Sequence, residues 1–260
     1  MESMVRKILN GACVVGCLLV LLLDYSPTWP QQSPLTAKQI LDKVDDLFRS
    51  RSSHGLAIMT VTTAHWKRSL TLEMWTKGKD KSLIRIRAPK KEKGTATLRS
   101  GNDIWNYLPK VNRVIKLPSS MMAASWMGSH FTNDDLVKES RMAEDYTFEI
   151  TFLGEIEGQE IVEITCQPKA ETAVVWGKVV VMARTTDYLP LWVKYFDEDL
   201  QLARTMTFSH VDRLGGRKLP TVVTMVPEDK PRESTIITYD KMEFNIQLDN
   251  DFFSLRTLQR

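Results

Sequence analysis

Cysteine is scarce in this 260-residue chain. There are three, and because Cys13 and Cys17 fall in the apolar N-terminus, Cys166 stands alone in the body of the protein and an internal disulfide there is excluded. The four histidines, His54, His65, His130 and His210, are far apart. With no H-E-x-x-H and no second cysteine near Cys166, no metal-ligand spacing exists. The G-x-S-x-G, G-x-x-x-x-G-K-[ST] and G-x-G-x-x-G patterns are also missing, which removes the usual signals of serine hydrolases, P-loop proteins and dinucleotide enzymes. A net charge of +3 is too small for the whole chain to act as a polyelectrolyte on nucleic acid, whose non-specific affinity needs many phosphate contacts. Fixed-period repeats and low-complexity segments are lacking as well. Ser129, His130, Asp134 and Asp135 form one nucleophile-and-base grouping, but neighbours on a loop rarely have catalytic geometry. They read as polar loop residues, so the chain is expected to be neither an enzyme nor a cofactor binder.

What is present is ordinary globular material: 43% hydrophobic and 26% charged side chains, with 12 Gly and 11 Pro. One domain with a sizeable core is expected, since all-β domains often run to about 200–250 residues. At the N-terminus, Arg6 and Lys7 precede an apolar run from Ile8 to Leu23 that Asp24, Ser26, Pro27 and Pro30 end. This is the layout of a secretory signal. The run is short for a spanning helix, which usually needs about 20 residues, yet an uncleaved anchor stays open. Val14-Val15-Gly16-Cys17 also fits a lipoprotein-processing box at Cys17, although Leu18 to Leu23 are more apolar than a mature lipoprotein start. Residues 1–33 are therefore a signal peptide or N-terminal anchor plus a linker, and 34–260 form the folded domain.

Within that domain, Thr36 and Gln39 make a T-x-x-Q capping box, and Ile40, Leu41, Val44, Leu47 and Phe48 recur at helical spacing, so a helix is predicted over 36–49. Its apolar face suits either a sheet or a cavity. From Leu56 onward the period changes to two, as in Leu70, Leu72 and Met74, in Ile84 and Ile86, and in Tyr146, Phe148, Ile150 and Phe152. Turn signals at 77–80, 100–103, 157–159, 197–199 and 215–216 separate these strands. Such short connections fit an antiparallel meander, because parallel strands need crossovers of a dozen or more residues. Ten or eleven strands are expected. The main interruption is 118–144, where Met121, Met122, Trp126, Met127 and Phe131 precede Thr132-Asn133-Asp134-Asp135, a T-x-x-D cap to a short helix. Flexible, polarizable methionines suit a surface that adapts to varied ligands, so this loop is either a plug of core residues or a lid over an apolar cavity.

Charge is uneven along the chain. From Lys77 to Lys116 there are twelve Lys/Arg against three Asp/Glu, whereas Asp134 to Glu163 holds ten acids and two bases. Solvated strand faces account for much of this. Arg85, Arg87, Lys90, Lys91 and Lys93 are candidate docking residues for anionic lipid headgroups or an acidic partner.

The signal segment, the Leu35-Thr36-Ala37 helix opening and the strands that follow resemble bacterial outer-membrane lipoprotein-sorting proteins of the LolA/LolB-like superfamily, in its transporter-linked subgroup. Gly101-Asn102-Asp103-Ile104-Trp105-Asn106-Tyr107-Leu108-Pro109, with Arg113 and Lys116 after it, is similar to the family's D-x-W-x-Y-x-P strand and basic tail. Ser125-Trp126-Met127-Gly128-Ser129 and Phe131-Thr132-Asn133-Asp134-Asp135-Leu136 are similar to its S-F-M-G-S and F-S-x-[DE]-D-L segments. Asp251 to Leu258 is similar to its closing strand. Trp126 stands where the family pattern has Phe, and His130 where it has an acid.

The resemblance implies a mainly β fold, a single incomplete, unclosed antiparallel barrel with helices as a lid and a concave apolar face. It implies a periplasmic carrier of lipid or lipoprotein acyl chains, loaded by an inner-membrane transporter of ABC or RND type and passing cargo towards the outer membrane. The other role that suits such a sheet is a non-enzymatic envelope adaptor with a filled core. Each CH₂ kept from water is worth roughly 0.8 kcal/mol, so one sixteen-carbon chain represents on the order of 12 kcal/mol that a carrier must match with apolar lining. The expected lining is Leu70, Leu72, Met74, Ile84, Ile86, Trp105, Tyr107, Phe148, Ile150, Phe152, Met206 and Phe208. The expected lid is Met121, Met122, Trp126, Met127 and Phe131.

Overall fold

The computed structural model describes residues 35–138, 145–170, 172 and 174–260. The expected signal or anchor, with Cys13 and Cys17, lies outside the described residues. Residues 35–260 form one compact unit.

Helix α1 (Ala37–Asp46) opens on the expected capping box: Thr36 Oγ1 accepts from the Gln39 amide, and Gln39 Oε1 accepts from the Thr36 amide at 2.9 Å. It buries Ala37 and Ile40 and ends three residues before the predicted Arg49, in turns that carry Leu47 and Phe48. Thirteen strands follow: β1 (Ser52–Thr62), β2 (Lys67–Lys77), β3 (Lys81–Ala88), β4 (Ala96–Ser100), β5 (Asp103–Leu108), β6 (Arg113–Lys116), β7 (Tyr146–Ile156), β8 (Gln159–Pro168), β9 (Lys178–Arg184), β10 (Pro190–Phe196), β11 (Leu202–Leu214), β12 (Arg217–Pro227) and β13 (Ser234–Phe244). The count exceeds the expected ten or eleven because pieces such as β4 and β6 are too short for period two to register.

All thirteen belong to one sheet in the order β6-β5-β4-β3-β2-β1-β13-β12-β11-β10-β9-β8-β7, and every pairing is antiparallel. The sheet is open, with β6 and β7 as its edges. Two meanders join where β1 pairs with β13, Met59 opposite Ile237. At the β11–β12 turn, Gly215 has φ +56°, and an added Cβ would lie 2.5 Å from the Met242 carbonyl oxygen, so glycine is required there.

One face of the sheet, here the inner face, carries two apolar clusters. The first lies under α1 and joins Val162, Ile164, Val179, Val181, Val193, Met206, Val223 and Met225 to Ala37 and Ile40. The second joins Met59, Val61, Leu70, Leu72 and Ile86 to Trp126. Each such fully buried side chain stabilises the fold by about 1.5–3 kcal/mol relative to exposure. Cys166 is free and buried in the first cluster, and burial pushes its thiol up to about 12, so it is a packing residue rather than a nucleophile.

The outer face has its own cluster, Leu83, Ala96 and Leu98 against Phe253 and Leu258. Here the expected closing strand is corrected: residues 250–252 form a 3-10 turn, and Leu255–Leu258 is a short helix, labelled α3 after α2 (Asp135–Lys138). Ser254 caps α3 by accepting from the Thr257 amide, and Phe252, packed edge-on to Phe253, lies 5.4 Å from Trp75. Packing of these aromatics on the outer face replaces strand pairing.

Candidate functional site

Between α1, the sheet and the loop that ends in α2 lies a cavity of about 290 Å³, near the lower end of the range for ligand sites. Its wall combines Leu41, Val44 and Phe48 at α1, Leu72, Met74 and Ile84 on β2 and β3, and Val181, Val193, Met206, Phe208, Val223, Ile237 and Tyr239 on β9–β13. Phe148, Trp126, Phe131 and Leu136 complete it. Ile237 packs against both inner clusters, so it marks the middle of the wall.

One end is polar. Ser53, Thr76 and Ser82 stand opposite one another on β1, β2 and β3 and all line the cavity, with the Ser53 and Thr76 hydroxyls 2.7 Å apart. Across the mouth, Lys79 Nζ on the β2–β3 turn donates to Asp42 Oδ1 of α1 at 2.5 Å, and Lys38 donates to the other oxygen at 2.7 Å. Burial works against the Asp42 charge, but these two lysines hold its carboxyl below the ordinary value. Asp45 behaves oppositely: burial pushes its carboxyl up despite Arg49 at 2.9 Å. An apolar chamber with a charged, hydrogen-bonding mouth suits a molecule with a long apolar part and a polar end.

The expected lining residues divide by strand phase. Leu72, Met74, Ile84, Phe148, Met206 and Phe208 are on the cavity wall. Leu70 and Ile86 share the inner face but are sealed into the cluster beneath Trp126. Trp105 and Tyr107 are a correction: Ile104 occupies the inner phase of β5, and the two aromatics lie on the outer face against the Phe253 cluster. Ile150 and Phe152 are a second correction, because they sit on edge strand β7 outside the cavity, each 38% exposed, and a bulge between them puts Phe152 opposite Glu163. Leu41, Val44 and Phe48 are on the predicted helix face that suits a sheet or a cavity, and Val181, Val193, Val223, Ile237 and Tyr239 are lining residues outside the expected set. The alternation Val179, Val181, Ala183 and the pair Val223, Met225 carried that signal.

The expected lid is tightly held. Trp126 is 3% exposed, its amide donates to the Phe131 carbonyl at 2.7 Å, and its Nε1 donates to Thr97 Oγ1 at 3.1 Å. Met122 packs beside Ile104 and Leu117, Met127 packs partly into the second inner cluster, and Met121 is exposed. Arg68 donates to the Met127 carbonyl, and the His130 ring meets Thr235 Oγ1 at 2.9 Å and Glu233 at 3.2 Å. Thr132 and Asp135 cap each other at the start of α2, and Asp135 forms a two-pronged ion pair with Arg204 at 2.9 and 2.5 Å. The loop plugs one half of the inner face and floors the cavity in the other. Trp126→Phe, the residue of the resembled pattern, keeps the ring burial but leaves Thr97 Oγ1 without its donor; a loss of about 1 kcal/mol in chemical unfolding is expected.

Among the docking residues, Arg85 is a correction: it is 8% exposed and donates to the Thr257 carbonyl at 2.6 Å, because its phase on β3 faces the C-terminal helix. Arg87 pairs with Glu73, while Lys90, Lys91 and Lys93 are exposed. Among the described residues no group of three or more His, Cys, Asp or Glu is placed to hold a metal ion, and no helix is long and apolar enough to cross a membrane.

A family model described as uncharacterized protein matches residues 78–260. No curated protein matches the chain. Three solved structures share the architecture: LolA superfamily protein NE2245 from Nitrosomonas europaea (TM-score 0.73, 20% identity, 86% of this chain and 100% of that one), a domain assigned to outer membrane lipoprotein sorting from Vibrio parahaemolyticus (0.74, 22%, 86% and 100%), and a DUF1329 family protein from Desulfovibrio piger (0.75, 21%, 85% and 98%).

Proposed function

We propose that this chain, which belongs to the family of uncharacterized proteins whose model matches residues 78–260 and has the LolA-superfamily fold, is a periplasmic carrier for the acyl chains of a lipid or lipoprotein. The observation that carries the reading is the apolar cavity between α1 and the inner face, with its polar mouth at Lys38, Asp42 and Lys79. A concave wall of Leu, Val, Met and Phe side chains replaces the contacts that a methylene chain loses on leaving a bilayer, at roughly 0.8 kcal/mol per CH₂. The hydroxyl row and charged rim keep hydrogen-bonding partners available to the polar end. In this reading cargo arrives from an inner-membrane transporter of ABC or RND type and leaves towards the outer membrane. Release is by exchange to a better-shielded site. Because the 119–135 loop is pinned at several points, α1 is the cover that moves.

The test is mass spectrometry of small molecules extracted by solvent from protein purified from a bacterial periplasm without detergent. An acyl lipid near one per chain is expected. Empty protein that also fails to bind an acyl-chain fluorophore would shift the reading to a non-enzymatic adaptor that docks a transporter, which the filled half of the inner face, Met59 to Trp126, favours.

A further inference from the structure

Three hairpin turns meet at one end of the sheet. The antiparallel order puts the β1–β2, β3–β4 and β5–β6 turns on the same side of their strands. Contacts between them are direct: Arg68, at the start of β2, lies 4.0 Å from Glu92 of the second turn, and a Cβ on Gly94 of that turn would lie 3.5 Å from Pro109 of the third.

Their side chains combine two chemistries. Trp66 is 43% exposed where the first turn, whose tip is Ala64 and His65, enters β2, with the Arg68 guanidinium 5.2 Å from its ring centre, and Val111 is 60% exposed at the tip of the third. Around them Lys67, Lys90, Lys91, Lys93 and Lys110 are all exposed. The only acid on these turns, Glu92, faces Arg68. On the adjoining β12–β13 turn, Glu233 is engaged by the Ala64 amide at 3.0 Å and by His130, Asp229 lies 3.8 Å from Lys230, and Glu228 is exposed.

We infer that this tip is a docking surface for an anionic lipid bilayer, with Trp66 and Val111 entering the headgroup layer and the lysines meeting lipid phosphates. An exposed indole beside a turn tip is suited to the interface, where its apolar body and N–H are both accommodated. Lysines around it add attraction that grows with the negative surface potential. An acidic protein would match the lysines but leave the exposed apolar surfaces of Trp66 and Val111 without a purpose. The cavity mouth at Lys79 lies at the opposite end of β2 and β3, so docking and loading use separate surfaces, and the inference does not depend on the carrier reading.

The test is hydrogen exchange of the full chain with vesicles of phosphatidylcholine alone or with phosphatidylglycerol. Expected is protection of 63–67, 89–94 and 109–113 only with phosphatidylglycerol, fading as salt is raised. Replacing Lys90, Lys91 and Lys93 together by Gln should raise the lipid concentration for half-protection about 100-fold. These side chains are exposed, so the melting temperature should not move. A second variant, Trp66→Ser, should weaken protection about 10-fold with the lysines in place. Equal protection by uncharged vesicles, or none by either, would overturn the inference, as would protection by polyglutamate in place of vesicles, which would mark an acidic protein partner. Because the readout is local to the turns, an empty cavity leaves it intact.

Discussion

Asp135→Ala is expected to lower stability by about 3–5 kcal/mol, the cost of removing one partner of a buried ion pair. Arg204 is 4% exposed and lies between the rings of Trp176 and Tyr195, 4.3 Å from each centre. Burial works against its charge, but Asp135 raises its pKa above the ordinary value by charge and hydrogen bonding. Without the carboxylate, the guanidinium would keep only the His130 carbonyl, at 2.9 Å, among its hydrogen-bond partners given by the loop. The same substitution removes the acceptor for the Thr132 amide, one half of the reciprocal cap of α2, and leaves the backbone amide of residue 135 on Thr132 Oγ1. A drop in melting temperature on the order of 10 °C follows for a domain of this size. The companion variant, Arg204→Met with Asp135→Leu, should recover most of the loss, since a buried pair replaced by apolar groups is often neutral. A loss under about 1 kcal/mol for Asp135→Ala would mean that the loop is held by its other contacts without the ion pair.

The reason this pair went unread in the sequence is distance along the chain. Asp135 is visible in local patterns, as the far end of a T-x-x-D cap and within the F-S-x-[DE]-D-L-like segment, while Arg204 sits on a strand 69 residues later. Local patterns transferred well: Thr36 and Gln39 cap α1 as their spacing demands, and Leu72, Met74 and Ile84 share one face as period two demands. Phase failed where both faces of a strand are apolar. On β5, Ile104 and Trp105 are each hydrophobic, and only the packing of Phe253 and Leu258 on the outer face decides which points where. On β7 a bulge resets the alternation between Ile150 and Phe152, and a bulge has no composition of its own. The end of the chain misled for a related reason, since Phe252 and Phe253 look like strand residues until Ser254 is seen as a helix cap. The basic tip was half legible: Lys90, Lys91 and Lys93 are neighbours in sequence, but Trp66 and Lys110 join them only when alternate turns fall on one end of a meander.

The second large effect concerns loading. Ile237→Trp is expected to weaken binding of an acyl-chain probe about 100-fold while leaving the fold as stable as the parent. Ile237 stands where the two inner clusters meet and borders the cavity, so an indole there occupies space rather than displacing packed atoms. Denying shelter to about four methylenes removes roughly 3 kcal/mol of binding, which is the stated factor. The control is Ile58→Trp on the neighbouring strand, where the side chain points to the outer face and is already 47% exposed. It adds the same indole without touching the cavity, and binding should not change. Stability separates the outcomes further. If Ile237→Trp destabilises by the 1–3 kcal/mol typical of overpacking, the space is too small to admit a chain and α1 must shift before anything enters. Unchanged probe affinity with an unchanged melting temperature would place the acyl chain elsewhere, and the cavity would then lose its claim to be the carrier site.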